Sequence, residues 1–397
     1  IHCNFNKLRF REIKIKDSYW LFDSKEKLNM DVRPEMIINT ATQGLTLQNE
    51  DGSMPPGVNG PHSHVMTGAR TTSHWAITFL LAFSYTKTNL FAEAGEKCLK
   101  VLLSPKYRPR TGSFWHRQHP GKNEYNGLIG QAWTMESLLY GYALLKEEVF
   151  LRTCREVFLL HKFNQDLGLW HCLGIQGNTE PIEYTLNQQI WMAAIGSLLS
   201  EHYPEMEEYP LLFLDKLSTY LMVNPTGYIS LGISYHSLLQ RIKQKIKKPF
   251  LQQGITTLQD EKTVGYHVFS LCGLAIIFRH FPQHTFWECS QLQTALELIF
   301  TTKYENDIST NMFGYPYNVV GFEIPYILYS FNNIMPYEES HELSRKVLAK
   351  QIHDHYDPEN SMLNRNTMDP ITLASRFYEV YRFLAPEITN NDLEYGR

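Results

Sequence analysis

The sequence predicts an all-α fold in which about six helix pairs close into a ring, the (α/α)6 toroid. Six stretches read as helices that open alike, with polar, aromatic or histidine residues first and apolar residues behind. Their starts lie 53, 60, 78, 53 and 53 residues apart, and a second, amphipathic helix fits into most of the gaps. The starts are Ser73, Asn126, Leu186, Val264, Tyr317 and Pro370. Because the polar, aromatic and histidine residues lie at the same end of each helix, they predict a single pocket at the mouth of the ring.

The first part of the chain predicts an arm, a helix and a long loop. Residues 1–30 are mixed and predict an N-terminal arm, and residues 31–390 predict one toroid domain. Within that domain a first helix is expected over 31–44, where Pro34 suits the first turn and Gly44 suits the C-cap. The Gly- and Pro-rich segment 48–64 predicts an ordered loop of a length that usually serves function.

Outer helices are expected to alternate with the inner ones after that loop. Apolar residues at helical spacing predict them over 91–105, 150–163, 209–222, 285–300 and 341–352. The segment 228–262 fits the pattern poorly and predicts an extra helix with an insertion. The stretches WHCLGI and GYISLGI predict short hairpin arms.

Composition excludes several classes of partner. Of 397 residues, 43% are apolar and 20% are charged, and the net charge of −4 favours neither nucleic acid nor an anionic membrane as a partner. The basic run at 241–248 predicts a solvated face. No apolar run reaches the roughly 18–20 residues of a membrane span. The sequence leaves a homodimer open.

The cysteines and the first residues bear on the compartment. Six cysteines are scattered without a CxxC pair, which favours a reducing compartment. The chain opens on Ile-His-Cys with no visible signal peptide and no initiator Met, so the cytoplasm is favoured and a processed N-terminus is expected. The compartment itself stays open.

No cofactor or metal is expected. The chain has no GxSxG, no Walker A loop and no GxGxxG before a helix, which sets aside nucleotide hydrolysis, nicotinamide redox and α/β-hydrolase chemistry. It has no HExxH or comparable spacing of metal ligands.

Three carboxylates are candidates for acid–base catalysis. Glu183 lies just before an inner helix, Asp51 lies in the Gly-Pro loop, and Glu323 lies one turn inside its helix. Glycosidic cleavage usually needs two carboxyl groups that face each other across the bond. Glu183 is therefore expected to be the general acid or base, with Asp51 or Glu323 as its partner. The structural alternatives are a helix-dipole partner for Glu183 and a turn former for Asp51.

His74 and His267 open two different inner helices, each beside an aromatic residue. A histidine with a pKa near neutrality suits substrate binding or the movement of a proton on carbon. The alternative for each is a structural histidine whose hydrogen bonds are satisfied in the core.

The helix starts and the loops before them supply the candidate substrate-binding residues. Tryptophans would stack on sugar rings and arginines would clamp a carboxylate, whereas core packing and loop anchoring are their structural alternatives. The predicted set is Arg70, Trp75, Trp115, His116, Arg117, Gln131, Trp170, His171, Tyr184, Asn187, Gln188, Tyr266, Tyr317, Asn318 and Arg376.

The ring pattern and its aromatic, histidine and carboxylate mouth resemble the (α/α)6 carbohydrate-active enzymes. These include six-hairpin glycosidases, such as unsaturated-glucuronyl hydrolases and related glucuronidases, and N-acylglucosamine 2-epimerase-type isomerases. Gly130-Gln131-Ala132, Glu183-Tyr184 followed by Asn187, and Tyr266-His267 also resemble motifs in the helical domain of glucuronyl C5-epimerases. The β-rich N-terminal part of those epimerases is missing, and the paired aspartates of the glucuronyl hydrolases find no aligned counterpart.

The resemblance implies an enzyme that acts on a small sugar or an oligosaccharide, with uronic acid as a candidate component. Glycoside hydrolysis is the first expectation because it dominates this architecture. Epimerisation or isomerisation, with a His or Tyr that moves the proton, is the second, and a glycan-binding toroid without catalysis is the third. Two carboxyl groups ~5–5.5 Å or ~6.5–9.5 Å apart would support hydrolysis, and the lack of a facing pair would argue against it.

Overall fold

The computed structural model describes residues 32–233 and 253–384. The predicted arm at 1–30, the basic run at 241–248 and the last residues of the predicted domain lie outside these ranges. In chain order the helices are α1 (Pro34–Leu45), α2 (Ala69–Thr86), α3 (Asn89–Leu103), α4 (Gly127–Leu145), α5 (Glu148–Leu160), α6 (Leu186–Ser200), α7 (Glu208–Tyr220), α8 (Gln253–Gly265), α9 (His267–His280), α10 (Ser290–Leu298), α11 (Thr302–Ser309), α12 (Tyr315–Asn318), α13 (Val320–Ser330), α14 (Tyr337–His355), α15 (Pro370–Ser375) and α16 (Tyr381–Leu384).

Strands and 3-10 turns are short in the described part of the chain. Strands β1 (Phe163–Asn164), β2 (Leu169–Leu173) and β3 (Thr179–Ile182) form an antiparallel sheet in that order, and β4 (Tyr356–Asp357) pairs with β5 (Met362–Leu363). The 3-10 turns cover Gly60–His62, Pro204–Glu207, Thr285–Glu288 and Phe377–Val380. The predicted all-α class is confirmed.

Five inner helices and one broken element close the ring. Helix α2 packs on α4, α4 on α6, α6 on α9, and α9 on α13. The sixth element consists of α15, the Phe377–Val380 turn and α16, and it contacts both α13 and α2. Since each inner helix touches two neighbours and an outer helix, it must be apolar on nearly every side. Every residue from 127 to 138 in α4 is accordingly buried.

The outer helices pack against this ring through a single face. Helix α5, for example, buries residues at helical spacing, among them Phe150, Cys154 and Val157, while its other side meets solvent. Helices α3, α5, α7, α10 and α14 lie at the predicted outer positions, with bounds that differ from the prediction by a few residues, and the predicted first helix corresponds to α1.

The predicted starts of the inner helices agree with the structure to within four residues. Leu186 and Pro370 begin their helices, whereas Val264 lies in α8 and Tyr317 lies in the short helix α12. The left-handed conformation of Val319 (φ 40°) separates α12 from α13. The expected extra helix in 228–262 corresponds to α8.

The two predicted hairpin arms differ in outcome. WHCLGI contains β2, as expected, whereas GYISLGI makes only isolated bridges, between Val223 and Ile229 and between Thr185 and Gly232. No helix in the described ranges is long and apolar enough to cross a membrane.

Candidate functional site

A cavity of about 380 Å³ opens where the inner helices begin. Its walls come from the first turns of α4, α6 and α9, from α12, and from segment 59–64. Six of the predicted site residues line it: Arg117, Glu183, Asn187, Gln188, Tyr266 and Tyr317. The cavity thus lies where the helix starts predicted it.

Glu183 lies half-buried between β3 and α6. Its Oε1 accepts the backbone N–H of Thr185 at 3.0 Å, whereas Oε2 has only the Sγ of Cys172 at 3.9 Å. Its carbonyl accepts the Nε2 of Gln189 at 2.7 Å, and that amide also bonds both backbone groups of Trp170 at 2.9 Å. One buried glutamine therefore fixes the segment that carries the carboxylate.

Gln131 fixes the loop before the preceding inner helix, α4, in the same way. Its Oε1 accepts the N–H of Phe114 at 2.7 Å, and its Nε2 donates to the carbonyls of Phe114 (3.0 Å) and Tyr125 (2.8 Å). All three of these hydrogen bonds go to backbone groups, and Gln131 does not line the cavity. Gln131 therefore positions the loop that carries Arg117.

Segment 59–64 reaches the cavity through an unusual backbone. Gly60 has φ +54°, and a Cβ there would overlap the ring of Tyr317, so only glycine fits. The carboxylate of Asp369 accepts the N–H groups of Val58 (3.0 Å) and Gly60 (2.9 Å). These contacts place the side chain of His62 in the cavity wall.

His62 and Tyr266 form a hydrogen-bonded pair in the wall, with 2.8 Å between Nε2 and the phenol oxygen. Burial, together with the Lys262 ammonium, lowers the pKa of His62 to about 3. Burial and the adjacent Tyr317 raise the pKa of Tyr266 well above 10. At neutral pH the pair is therefore a neutral imidazole beside a protonated phenol.

His64 is also neutral. The Nη1 of Arg117 lies 3.2 Å from its Nδ1, and the Nδ2 of Asn59 lies 3.3 Å from the same atom. Since both neighbours are donors, Nδ1 accepts and the ring proton sits on Nε2. Burial, followed by the Arg117 charge, lowers the pKa of His64 to about 4.

The cavity is positively charged and offers free hydrogen-bonding groups. Its described lining holds Arg117, Lys122 and Lys262 but a single carboxylate, Glu183. The buried Nδ2 of Asn126 and Oδ1 of Asn187 lack a hydrogen-bond partner among the described atoms. A donor and an acceptor of this kind suit the hydroxyl groups of a sugar, because buried polar atoms need partners.

The other two predicted catalytic carboxylates lie elsewhere. Asp51 forms a turn with Ser53 and pairs with Lys106 at 2.6 Å on the surface, which lowers its pKa to about 2. Glu323 is 1% exposed inside the ring, with one oxygen 3.6 Å from Nη2 of Arg376, and burial raises its pKa well above its usual range. Neither faces Glu183 across the cavity.

The two predicted catalytic histidines are core residues. His267 accepts the N–H of Ile229 at 3.2 Å and donates to the carbonyl of Ala295 at 3.0 Å, so both ring nitrogens serve the backbone. His74 is fully buried, with Nδ1 3.2 Å from the phenol of Tyr378. Both histidines are thus engaged in the core, and neither lines the cavity.

The predicted tryptophan platforms are also absent from the cavity lining. Trp75 and Trp170 are fully buried, the latter among Phe158, Phe163 and Phe213. The half-buried Trp115 donates its Nε1–H to the carbonyl of Arg117 at 3.0 Å. Hydrophobic packing explains the first two, and loop anchoring explains the third.

The remaining predicted binding residues lie behind or beside the cavity. Four of them have a structural contact: His116 with Thr134, His171 with the carbonyl of Glu180, Asn318 with the carbonyl of Gly265, and Arg376 with Glu379. The side chain of Tyr184 is 45% exposed, and Arg70 is buried behind the cavity wall.

Several lining residues escaped the sequence prediction. The main ones are Asn59, His62, His64, Lys122, Trp133 and Lys262. The Gly-Pro loop marked the first three as part of a functional segment, but no local pattern showed which side chains turn inward. Within the described ranges, no three His, Cys, Asp or Glu side chains come together as a metal site.

Comparison with known proteins extends these findings. No family model matches the chain. It is 34% identical over 362 residues to archaeal glycosylation protein Q of Haloferax volcanii, and the aligned region covers 88% of this chain and 96% of that protein.

Solved structures share the fold at low sequence identity. Cellobiose 2-epimerase of Spirochaeta thermophila matches with a TM-score of 0.61 and 14% identity, over 89% of this chain and 98% of that one. Unsaturated glucuronyl hydrolase of Bacillus sp. GL1 matches with a TM-score of 0.60 and 13% identity, over 92% and 100%. The resemblance to (α/α)6 toroid enzymes is confirmed at the level of the fold.

Proposed function

This chain belongs to the family of archaeal glycosylation protein Q, and from its cavity we propose that it is a sugar epimerase or isomerase that moves a proton at carbon. The observation that carries the proposal is a cavity with one carboxylate, two neutral histidines and two tyrosines. The name of the relative supports a glycan sugar as the substrate. Both epimerases and hydrolases occur among the proteins that share the fold.

The shortage of carboxylates argues against ordinary glycoside hydrolysis. That reaction usually needs two carboxyl groups across the bond, and Glu183 is the single acid in the described lining. The segment 234–252, which the described ranges omit, contains no Asp or Glu. That segment therefore supplies no carboxyl group, whereas the undescribed segments 1–31 and 385–397 do contain Asp and Glu.

The chemistry follows from the protonation states of the wall. Glu183 acts as the base that removes a proton from a carbon next to a carbonyl or carboxyl group, and the bonding electrons pass to that group's oxygen. The cations of the cavity stabilise the resulting oxyanion. Tyr266, protonated and hydrogen-bonded to His62, then returns a proton to the carbon.

The test is hydrogen exchange at carbon in heavy water. The wild type should incorporate deuterium into the recovered sugar, assayed by NMR on a panel of reducing neutral sugars and hexuronides. Glu183→Gln should slow the exchange by about 10²–10⁴-fold, the usual loss of a general base. Unchanged exchange in that variant would refute the assignment of the base.

Tyr266→Phe and Tyr184→Phe form a matched pair of variants. Tyr266 lines the cavity, whereas the neighbouring candidate Tyr184 is 45% exposed and does not. The first substitution should suppress inversion of the carbon, and the second should leave it intact. Equal behaviour of the two variants would contradict the proposed donor.

Hydrolysis remains the second candidate because Glu183 presents an oxygen that lacks a strong hydrogen bond. A new reducing end without deuterium on carbon would support it. Binding of a glycan with neither product would support a toroid without catalysis.

A further inference from the structure

Arg70 is a buried cation without a carboxylate partner in the described part of the chain. It is 2% exposed. Its Nη1 donates to the Oδ1 of Asn59 at 2.7 Å and the phenol of Tyr317 at 3.3 Å, and its Nε lies 3.5 Å from the Nε2 of His74. Its Nη2 is buried with no hydrogen-bond partner among the described atoms. A buried charge without a counter-charge destabilises the folded protein, so the burial of Arg70 needs an explanation.

The guanidinium lies directly behind the cavity wall. Its central carbon sits 3.9 Å from the ring centre of Trp133 and 5.2 Å from that of Tyr317. Trp133, Tyr317 and Asn59 all line the cavity. One layer of side chains therefore separates the charge from a ligand.

A second buried arginine is joined to Arg70 through neutral groups. Arg117 bonds His64, which contacts Asn59, which in turn accepts from Arg70. The other hydrogen bonds of Arg117 go to the carbonyl and side-chain oxygens of Asn123 at 2.8 Å and 2.7 Å. Neither arginine has a described carboxylate within ion-pair distance.

The other buried arginines of the described ranges are neutralised. Each forms an ion pair with a glutamate: Arg108 with Glu156 at 2.8 Å, Arg376 with Glu379, and Arg382 with Glu136 at 2.6 Å. None of these three lines the cavity. The unbalanced charge is thus confined to the two arginines at the cavity wall.

We propose that the ligand supplies this missing negative charge: the cavity takes a sugar with a carboxylate or phosphate substituent, and Arg70 selects it from behind the wall. Arg70 is a positioning and electrostatic residue, because it holds Asn59 and Tyr317 and adds a field that water does not screen. The inference rests on the proposed function only in that the ligand is a sugar.

The test compares the binding of three probes by calorimetry: methyl glucuronide, methyl glucoside 6-phosphate and methyl glucoside. The wild type should bind one of the anionic probes at least about tenfold more tightly than the neutral one, about 1.4 kcal/mol. The tighter of the two anions identifies the substituent. Equal affinity for all three would overturn the proposal.

Arg70→Gln should weaken the preference for the anion, because Arg117 remains, and Arg70→Lys should keep most of it, since a lysine preserves the charge. The matched control is Arg108→Gln, which removes another buried arginine, 9% exposed, that has its own glutamate partner away from the cavity. That control should keep the preference. An undiminished preference in Arg70→Gln would refute the role of Arg70.

A salt titration of the wild type decides the matter if Arg70→Gln does not fold. The Debye length falls from about 10 Å to about 3 Å between 0.1 M and 1 M salt, but a buried charge is screened far less. The preference should therefore persist at 1 M NaCl. Its loss would assign it to the more exposed Lys122 and Lys262 and overturn the proposal. Because binding is measured, a failure of hydrogen exchange leaves this result interpretable.

Discussion

Replacement of Asp369 by alanine should loosen the cavity from a point outside it. Asp369 is 3% exposed at the N-terminus of α15. Its Oδ2 accepts the N–H groups of Val58 and Gly60, and its Oδ1 accepts the N–H of Thr372 at 3.2 Å. One carboxylate therefore caps the closing helix and holds the segment that carries the cavity histidines.

The expected cost combines two terms. Loss of an N-cap costs about 1 kcal/mol. Each backbone N–H left without its charged acceptor costs about 1–3 kcal/mol, with the lower values applying where water can reach the group. Asp369→Ala should therefore destabilise the protein by about 3–5 kcal/mol. Asp369→Asn, which keeps an acceptor oxygen, should cost less.

Urea unfolding measures this cost, and calorimetry with a sugar probe measures the effect on the cavity. The matched control is Asp357→Ala, because Asp357 accepts an exposed backbone N–H, that of Glu359, in a local turn, at 3.0 Å. The control should cost below about 1 kcal/mol and leave binding intact. An equally small cost for Asp369→Ala, or unchanged probe affinity, would refute the idea that Asp369 holds the segment.

Three further outcomes are expected. Gly60→Ala should lower the free energy of unfolding, measured in urea, by about 1–3 kcal/mol and should weaken probe binding, because the added Cβ would overlap the Tyr317 ring. An unchanged free energy of unfolding would contradict the close approach of Gly60 to that ring. Arg382→Ala should cost about 3–5 kcal/mol by the same assay, since it leaves Glu136 as a buried charge, and a loss below about 1 kcal/mol would show that the pair is not needed. Stability should fall as the pH drops from about 7 towards 4: burial lowers the pKa of His116 to about 3, so the unfolded chain binds its proton first. An unfolding free energy that is flat over pH 4–7 would argue against this.

Helix periodicity was enough to locate the cavity. Gln131 and Gln189 show why: each follows the start of an inner helix, precedes a tryptophan by two positions, and braces the loop before it. Local sequence thus carries the repeated helix start, and the starts gather at one end of a closed ring. Arg117 and Glu183 were found because they lie in the two braced loops.

The cavity histidines were beyond the reach of local reasoning. His62 lies in the wall because Gly60 meets Asp369, a contact across 309 residues. Asp51 shows the converse error, a residue that was predicted to be catalytic but lies outside the cavity. The local sequence around a loop aspartate is the same whether its carboxylate faces a substrate or, as here, accepts the backbone N–H of Ser53. Periodicity cannot separate these cases, because they differ only in tertiary contacts.

The ion network inside the ring explains why strongly shifted acids do not mark the active site here. Arg382 pairs with Glu136 and Glu379, and Arg376 pairs with Glu379 and lies 3.6 Å from Glu323. Burial raises the pKa of Glu323 well above its usual range, which favours its neutral form. Two guanidinium groups then face two carboxylates, and the network is balanced without a ligand.

That balance decides where the counter-charge of Arg70 can come from. Arg70 reaches the network only through His74 and the phenol of Tyr378, which contacts Glu136 at 3.3 Å. Burial lowers the pKa of His74 well below 6.5 and raises that of Tyr378 well above 10, so both links are neutral. The carboxylate beyond them is already paired with Arg382. Since the described core has no charge to spare, we expect the anion that balances Arg70 to come from the cavity side, where a bound sugar would lie.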